Sequence, residues 1–425
     1  MKHEIPVDEV GPNGAGMAEA VSSCVHCGFC LSTCPTYVTM AEEMDSPRGR
    51  IFLMKEVLEG KTEIEVALPY IDNCLGCQAC TTSCPSGVSY GDLITPFRAY
   101  AETRRTRSPA DRVTRAMTLR LLPKPKRFRL AARLGMAARP FAGVLPRSMR
   151  NMLEMLPAEL PGPDPLPAIY PAQGIRRARV ALLAGCAQQV LDPDINWATL
   201  RVLARNGIET VIPKAQACCG ALAMHTGEAE LARTSARKNL SAFAEDVDAI
   251  ITTAAGCGSG LKEYGQLFKG EPEQEQAEEL SARCVDTTVF LAEIGLVTNP
   301  PDLEAPLRIA YQDACHLGHA QGVRTPPREL LTSIPGVELA EHSDWAICCG
   351  SAGTYNIEKP EIAAQLGRRK AEALVATGAE LVATGNIGCL TQLKNTLASL
   401  EVDLPVLHTM QVLDRAYQTT LRGEQ

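Results

Sequence analysis

ARVALLAGC, residues 178–186, and LRIAYQDAC, residues 307–315, each carry an apolar run into a short turn that ends on cysteine. A run of this length and composition, closed by turn residues, reads as a buried strand. The same grammar recurs in ETVIPKAQACC (209–219), DAIITTAAGC (248–257), SDWAICC (343–349) and AELVATGNIGC (379–389). Helical patterns such as NWATLRVLARNG and KPEIAAQLGRRKAEALVATG separate these runs. Strands alternating with helices predict parallel α/β sheets, and such sheets gather ligands at the carboxyl ends of their strands. Each set of cysteines is therefore expected to converge at one sheet edge.

The cysteines also expose a duplication. Cys186 to Cys315 is a shift of 129 residues, Cys218 to Cys348 of 130, and Cys257 to Cys389 of 132. Landmarks matched at a nearly constant offset mark an internal repeat. The paired cysteines Cys218–Cys219 and Cys348–Cys349 are poor disulfide partners, because adjacent Cα atoms lie about 3.8 Å apart and a disulfide favours roughly 4.4–6.8 Å. Buried apolar cysteine is the bland reading of these eight residues, and repetition in register argues against it. Cys284 has no counterpart and is expected to be buried at the start of a strand.

The chain has 425 residues, 45% of them apolar, which is enough for two to four domains with real cores. It carries 17 cysteines, no secretory leader in its opening residues MKHEIPVDEV, and no long uncharged apolar run. These features predict a cytoplasmic protein whose cysteines bind metal or do redox work.

Two further motifs specify the metal. CVHCGFCLSTCP (Cys24, Cys27, Cys30, Cys34) and CLGCQACTTSCP (Cys74, Cys77, Cys80, Cys84) share the form C-x2-C-x2-C-x3-C-P. In this pattern three thiolates hold one cluster and the fourth, before proline, reaches the neighbouring one. Cys24, Cys27, Cys30 and Cys84 are thus assigned to one [4Fe-4S] cluster, and Cys74, Cys77, Cys80 and Cys34 to a second. Structural zinc is the alternative, but zinc sites show well-separated C-x2-C pairs. His26 is read as a neighbour of the first cluster or a surface residue, not a ligand. The insert predicts a helix capped by Asp45 or Ser46, with Pro47 in its first turn and Ile51, Met54, Val57 and Leu58 on one face. Arg48 and Arg50 are placed to offset the charge of the thiolates.

Charge is uneven: the net is −7 (42 Lys and Arg against 49 Asp and Glu), yet residues 98–150 hold 15 Lys and Arg against only Glu102 and Asp111. Apolar residues interleave at helical spacing and prolines thicken toward the end, predicting amphipathic helices followed by an extended linker. Such a segment suits an anionic membrane face, a solvated interdomain pair or the docking of an acidic partner. Nucleic acid is disfavoured, because residues 101–140 of the basic run contain a single aromatic, Phe128.

The first hundred residues resemble the alpha-helical ferredoxin domain. Cys186, Cys218, Cys219 and Cys257, and then Cys315, Cys348, Cys349 and Cys389, resemble the cysteine-rich CCG domain of heterodisulfide reductases and of iron-sulfur subunits of membrane-linked dehydrogenases. That motif typically closes with a further C-x-x-C. Here Gly260 and Gln392 stand at the final position, so each repeat offers four thiols, which leaves open a cubane, or in one repeat no cluster. His316 and His319 are read as donors to a cluster sulfur, proton relays or satisfied surface groups, and Tyr355 and Asn386 as turn and packing residues.

CVHCGFCLSTCPTY, DSPRGRI, CLGCQACTTSCPSGV, CCGSAGTYNI and GNIGC together resemble the iron-sulfur subunits of glycolate oxidases, from about residue 17 to 418. The expected architecture is α+β and multidomain: an alpha-helical ferredoxin domain (1–100), a basic helical and proline-rich linker (101–175), and two CCG repeats with parallel sheets (176–298 and 299–425). The resemblance implies FAD-containing partner subunits that oxidise glycolate, two [4Fe-4S] clusters, one or two further clusters in the CCG sites, and electron flow toward membrane quinone or another acceptor. It also implies a peripheral position on the inner face of the cell membrane. Related subunits of lactate utilisation and anaerobic glycerol-3-phosphate dehydrogenase share the layout, and a thiol-disulfide enzyme is a rival from another class. No G-x-G-x-x-G follows a strand, and GPNGAG (11–16) lies in the wrong context, so flavin chemistry is expected on another polypeptide and no catalytic residue is assigned.

Overall fold

The computed structural model describes residues 1–144, 147–243 and 246–421, with the side chains of 147 and 148 left aside. Its first hundred residues are helical: Gly14–Ser23, Pro35–Met40, Pro47–Leu58, Ile64–Asn73 and Gly91–Glu102. The Pro47–Leu58 helix starts as its sequence predicts. The Ser46 hydroxyl accepts the Gly49 N–H at 3.0 Å, and Pro47, which has no N–H to leave unpaired, fills the first turn. Ile51, Met54, Val57 and Leu58 are all buried, in one core with Met17, Val21, Ile71, Leu93 and Phe97. Cys24, Cys74 and Cys80 belong to that same core.

The basic segment forms helices Pro109–Leu121, Pro125–Ala138 and Arg147–Glu154 and then runs extended. Its end joins a sheet: strand β1 (Ile169–Tyr170) pairs antiparallel with β3 (Ile208–Val211). Sequence reading treated these two residues as linker. An edge strand this short, entered without a crossover helix, carries no periodic signal.

The remainder is two parallel sheets. In the first, β2 (Ala178–Leu183) is flanked by β3 and β4 (Ala249–Thr252), with β5 (Cys284–Asp286) outside β4, giving the order β1-β3-β2-β4-β5. In the second, β6 (Leu307–Gln312), β7 (Val337–Ala340), β8 (Leu381–Thr384) and β9 (Val406–His408) run in the order β7-β6-β8-β9. The repeat thus extends to strand order, as the cysteine offsets require. Val180, Leu182 and Ile251 share one core with Ile309, Tyr311 and Ala383, so the two sheets are not independent bodies. Helices Asp194–Arg205 and Thr409–Tyr417 help join them, with Arg201 bonded to Asp414 at 2.7 Å. Cys284 is buried at the start of β5, as expected, and takes the place that Val406 has in β9.

Asp286 and His408 close the last strand of each repeat and cap the helix that follows. Both are buried. Burial pushes Asp286 up to about 6, against hydrogen bonds from Thr288 that favour its charge. Burial also pushes His408 down to about 4; its Nδ1 accepts the Met410 N–H, and Nε2–H donates to the Thr253 carbonyl. A raised carboxylate loses stability as pH rises from about 3.8 to 6. A depressed imidazole loses stability as pH falls from about 6.5 to 4. The two slopes oppose each other over nearly the same window. Asp286→Asn, which keeps a capping oxygen, is expected to add roughly 2–3 kcal/mol at pH 7.5 and to unmask the histidine's acid sensitivity. Guanidinium midpoints at pH 5 and 8, read by the emission of Trp197 and Trp345, test this. A variant with the wild-type pH slope would refute it.

Candidate metal centres

The two amino-terminal motifs fold into loops of matching shape. His26 and Gly28 in the first, and Gly76 and Gln78 in the second, adopt left-handed conformations, with φ of 55°, 87°, 64° and 60°. These turns aim successive cysteines inward, at a strain cost for the non-glycine residues His26 and Gln78. Cys24, Cys27, Cys30 and Cys84 line one pocket, with Cys27 at the surface. Cys34, Cys74, Cys77 and Cys80 are buried beside them, and Cys80 feels the charges of Cys74, Cys34 and Cys30. Cys84 of the second motif thus shares a pocket with three cysteines of the first, and Cys80 lines that pocket as well.

Burial, with neighbouring thiols, pushes Cys77 and Cys80 well up. Burial acts the same way on Cys74, but Arg50 and Arg98 override it and hold that thiol below its ordinary value. Arg50 is 1% exposed. It donates to Tyr70 O (2.7 Å), Thr36 Oγ1 (2.9 Å) and Asp45 Oδ1 (2.9 Å), and reaches Cys34 Sγ at 3.8 Å. Arg48 instead grips Glu43 and the His26 carbonyl, bracing the first loop. His26 contacts the Met1 sulfur. Metal-binding cysteine is thiolate, and a dry pocket of adjoining thiols favours that form only when cations accompany it.

In each repeat the cysteines follow the carboxyl ends of three neighbouring strands, β3, β2 and β4 in the first and β7, β6 and β8 in the second. Cys186 and Cys218 sulfurs are 3.6 Å apart, and Cys218, Cys219 and Cys257 continue the contact. The thiols of Cys186 and Cys219 bond to Cys218 and hold it well below its ordinary value. In the second repeat Cys315, Cys348, Cys349 and Cys389 form the same chain, and Cys349 is the sulfur held low, by Cys348 and Cys389. Both pairs end in a glycine with positive φ, Gly220 (+81°) and Gly350 (+89°). A Cβ at Gly350 would stand 2.5 Å from the Ala363 carbonyl, whereas at Gly220 the nearest atom, the Ala232 carbonyl, is 3.2 Å away. Gly350→Ala is expected to cost roughly 3 kcal/mol and Gly220→Ala less, from strain plus overpacking. Thermal unfolding of the two variants should rank them in that order, and equal losses would contradict the geometry.

Neither repeat supplies a fifth thiol. At Gly260 there is no space for one, since a Cβ there would lie 2.5 Å from that of Ala221, and Gln392 is committed to Asn356 and the Ala363 carbonyl. Among the described residues no three cysteine, histidine, aspartate or glutamate side chains surround a single-ion position.

The four groups adjoin. Cys30 sits against Cys34 and Cys24. Cys77 lies beside Cys315 and shares a buried cluster with Cys348. Cysteines of both repeats line one cavity of about 290 Å³. Asn386 spans it, donating to Cys389 Sγ and accepting the Gly256 N–H, both at 3.4 Å. Cys77 thus meets the second repeat's quartet directly, and Cys74 and Cys77 line the same cavity as the cysteines of both repeats. His316 Nε2–H donates to the Gly76 carbonyl at 3.1 Å. His319 donates to the Ala346 carbonyl and accepts from Thr82 at 2.8 Å. Both histidines fasten the modules together, as does Tyr355 through the Asn73 carbonyl.

Residues 20–88 match the 4Fe-4S dicluster domain, and residues 180–262 and 309–394 each match the Cysteine-rich domain named CCG. The chain is 39% identical to the probable glycolate oxidase iron-sulfur subunit of Bacillus subtilis over 88% of each chain. It belongs to the glycolate oxidase iron-sulfur subunit family. The glycolate oxidase iron-sulfur subunit of Escherichia coli is 36% identical over 93% of this chain and 94% of that one. A fumarate reductase (CoM/CoB) subunit of Methanothermobacter marburgensis is 28% identical, over 97% of this chain and 75% of that one. Motif reading passed over two residues of this region: Arg98, which donates to the Cys74 and His225 carbonyls, and Lys370, which is fully buried. Lys370 was detectable, because it falls on the stripe Ala363, Leu366, Gly367, Leu374 of a helix that buries those positions.

Proposed function

We propose that this chain is the electron-transfer subunit of a glycolate-oxidising complex, receiving electrons from FAD-bearing partner subunits and passing them toward membrane quinone or another acceptor. The observation that carries this reading is that every cysteine but Cys284 stands in one of four adjoining groups of four. Cys24, Cys27, Cys30 and Cys84, with Cys34, Cys74, Cys77 and Cys80, would hold two [4Fe-4S] clusters. The quartets Cys186, Cys218, Cys219, Cys257 and Cys315, Cys348, Cys349, Cys389 would each hold another iron-sulfur cluster. Bound clusters supply one-electron storage. The chain's own residues supply spacing, dryness and charge: Arg50 and Arg98 offset the thiolates of the second group, and Asn386 donates to a sulfur of the fourth. A lactate or glycerol-3-phosphate dehydrogenase complex would use the same wire. Disulfide cleavage is less well served, because both quartets lack a fifth thiol.

A membrane position draws support from the basic helices. Val113, Met117, Leu130, Leu134 and Phe141 are exposed there. Arg112, Arg120, Lys126, Arg127 and Arg133 accompany them without an ion-pair partner among the described residues. Leu130 and Leu134 stand one turn apart on helix Pro125–Ala138, with exposed Phe141 just past its end, an arrangement that suits a helix on anionic lipid. Phe128 is buried and offers no face for base stacking. No described helix is long and apolar enough to cross a membrane.

Anaerobic purification with iron analysis and EPR tests the wire. About sixteen irons per chain and signals reduced by glycolate in the presence of the flavoprotein subunits are expected. Zinc in place of iron would end the proposal. Flotation with anionic vesicles at low and high salt tests the surface; no binding at low salt removes the membrane from it.

A further inference from the structure

The two repeats differ at one buried site beside their paired cysteines. Gly220 rests on Ala232, and Gly350 rests on Ala363, which aligns helix Ala229–Ala242 with helix Pro360–Val375 at a shift of 131. The same shift takes Asn239 onto Lys370, and both are 0% exposed. Asn239 is a neutral clamp: its Oδ1 accepts the Ala217 N–H at 2.8 Å, and its Nδ2 donates to the Cys218 carbonyl at 3.0 Å. Lys370 donates to the Asp344 carbonyl. The carboxylate of Asp344 is already engaged by Arg369, at 2.9 and 2.7 Å. An ammonium buried without a carboxylate of its own needs another anion nearby. Burial pushes Lys370 down, and the groups that favour its charge are Asp344 and then the sulfurs of Cys315, Cys349 and Cys348. Burial and the same positive charge push His342 down to about 4, so that ring adds no second cation. Among the described residues no lysine or arginine acts on Cys218 or Cys219 in the first repeat.

Resting on the reading that both quartets hold clusters, we propose that Lys370 makes the second repeat's cluster the more easily reduced of the two, so that an electron leaving the amino-terminal pair settles there first. Net charge around a cluster is one of the terms that set its potential, and an added positive charge favours the reduced, more negative state. The step moves one electron from the cluster at Cys34, Cys74, Cys77 and Cys80 to the cluster beside Cys315. No bond forms or breaks. Lys370 acts through the cluster and is a positioning and tuning residue, not a catalytic one.

The test is an EPR-monitored redox titration of the full chain, loaded anaerobically, with the two CCG signals assigned by their loss in Cys257→Ser and Cys389→Ser. In the wild type the signal lost in Cys389→Ser should titrate higher than the one lost in Cys257→Ser. Lys370→Met should lower it by at least tenfold in the oxidised-to-reduced ratio at fixed poise, which is 59 mV for a one-electron couple. Lys370→Arg should move it less than threefold, and the other signals should stay in place. An unshifted potential in a fully loaded Lys370→Met protein overturns the proposal. If that variant fails to load, the wild-type order decides, and a second-repeat signal at or below the first overturns it. About eight irons per chain in the wild type would instead overturn the occupancy on which the inference rests.

Discussion

Removing iron from the loaded chain by anaerobic chelation is expected to unfold the amino-terminal helices while both sheets persist. The helical unit is built from elements of 6 to 12 residues, lengths that are marginal alone. Its core is completed by Cys24, Cys74 and Cys80. Its loops hold His26 and Gln78 in left-handed conformations, each at about 1–2 kcal/mol. Where ligands share the core with the apolar side chains, metal affinity becomes folding free energy. The core that joins the sheets contains no cysteine and gains nothing directly from iron. Hydrogen exchange after chelation should show protection lost over residues 14–102 and kept in β2, β4, β6 and β8. Equal loss in both regions, or none in the helices, would contradict this.

Arg50→Leu is expected to destabilise the protein by about 3–5 kcal/mol, the cost of stranding a buried charge. Asp45 is 1% exposed and would keep only Asn73 as a side-chain partner. The Tyr70 carbonyl and the Thr36 hydroxyl would lose their donor as well. The double variant Arg50→Leu, Asp45→Leu should recover part of the loss, since removing both charges leaves no uncompensated ion. Denaturant midpoints of the single and double variants decide the matter. A double variant less stable than Arg50→Leu would show that the ion pair is not the cause.

Much of this was legible before any coordinate. The strands announce themselves because a buried parallel strand is an unbroken apolar run, and the duplication because cysteines are rare enough to align by eye. The proline after each fourth cysteine is what suggested crossing Cys34 and Cys84 between the motifs, and Cys84 does line a pocket with Cys24, Cys27 and Cys30. Arg50 was suspected from its nearness to the first motif, but Lys370 was not, since a charged residue in GRRK reads as solvated unless its helical phase is checked. β1 gave no warning, being two residues in a proline-rich tract. Nor does chain order disclose that the second repeat packs against the amino-terminal cysteines. That follows from Cys77 meeting Cys315, and from His316, His319 and Tyr355 reaching back across more than 200 residues.

Those reaching bonds have a practical consequence. The amino-terminal unit is tied to the sheets by His316 to Gly76, Thr82 to His319, Tyr355 to Asn73, Arg98 to His225 and Gln266 to Asp92, none of them an ion pair. Such contacts are little affected by ionic strength, whereas the exposed arginines and lysines of the basic helices act through a field that about 1 M salt compresses to roughly 3 Å. On the proposed seating against an acidic surface, a salt wash should therefore release this protein with its internal junctions whole.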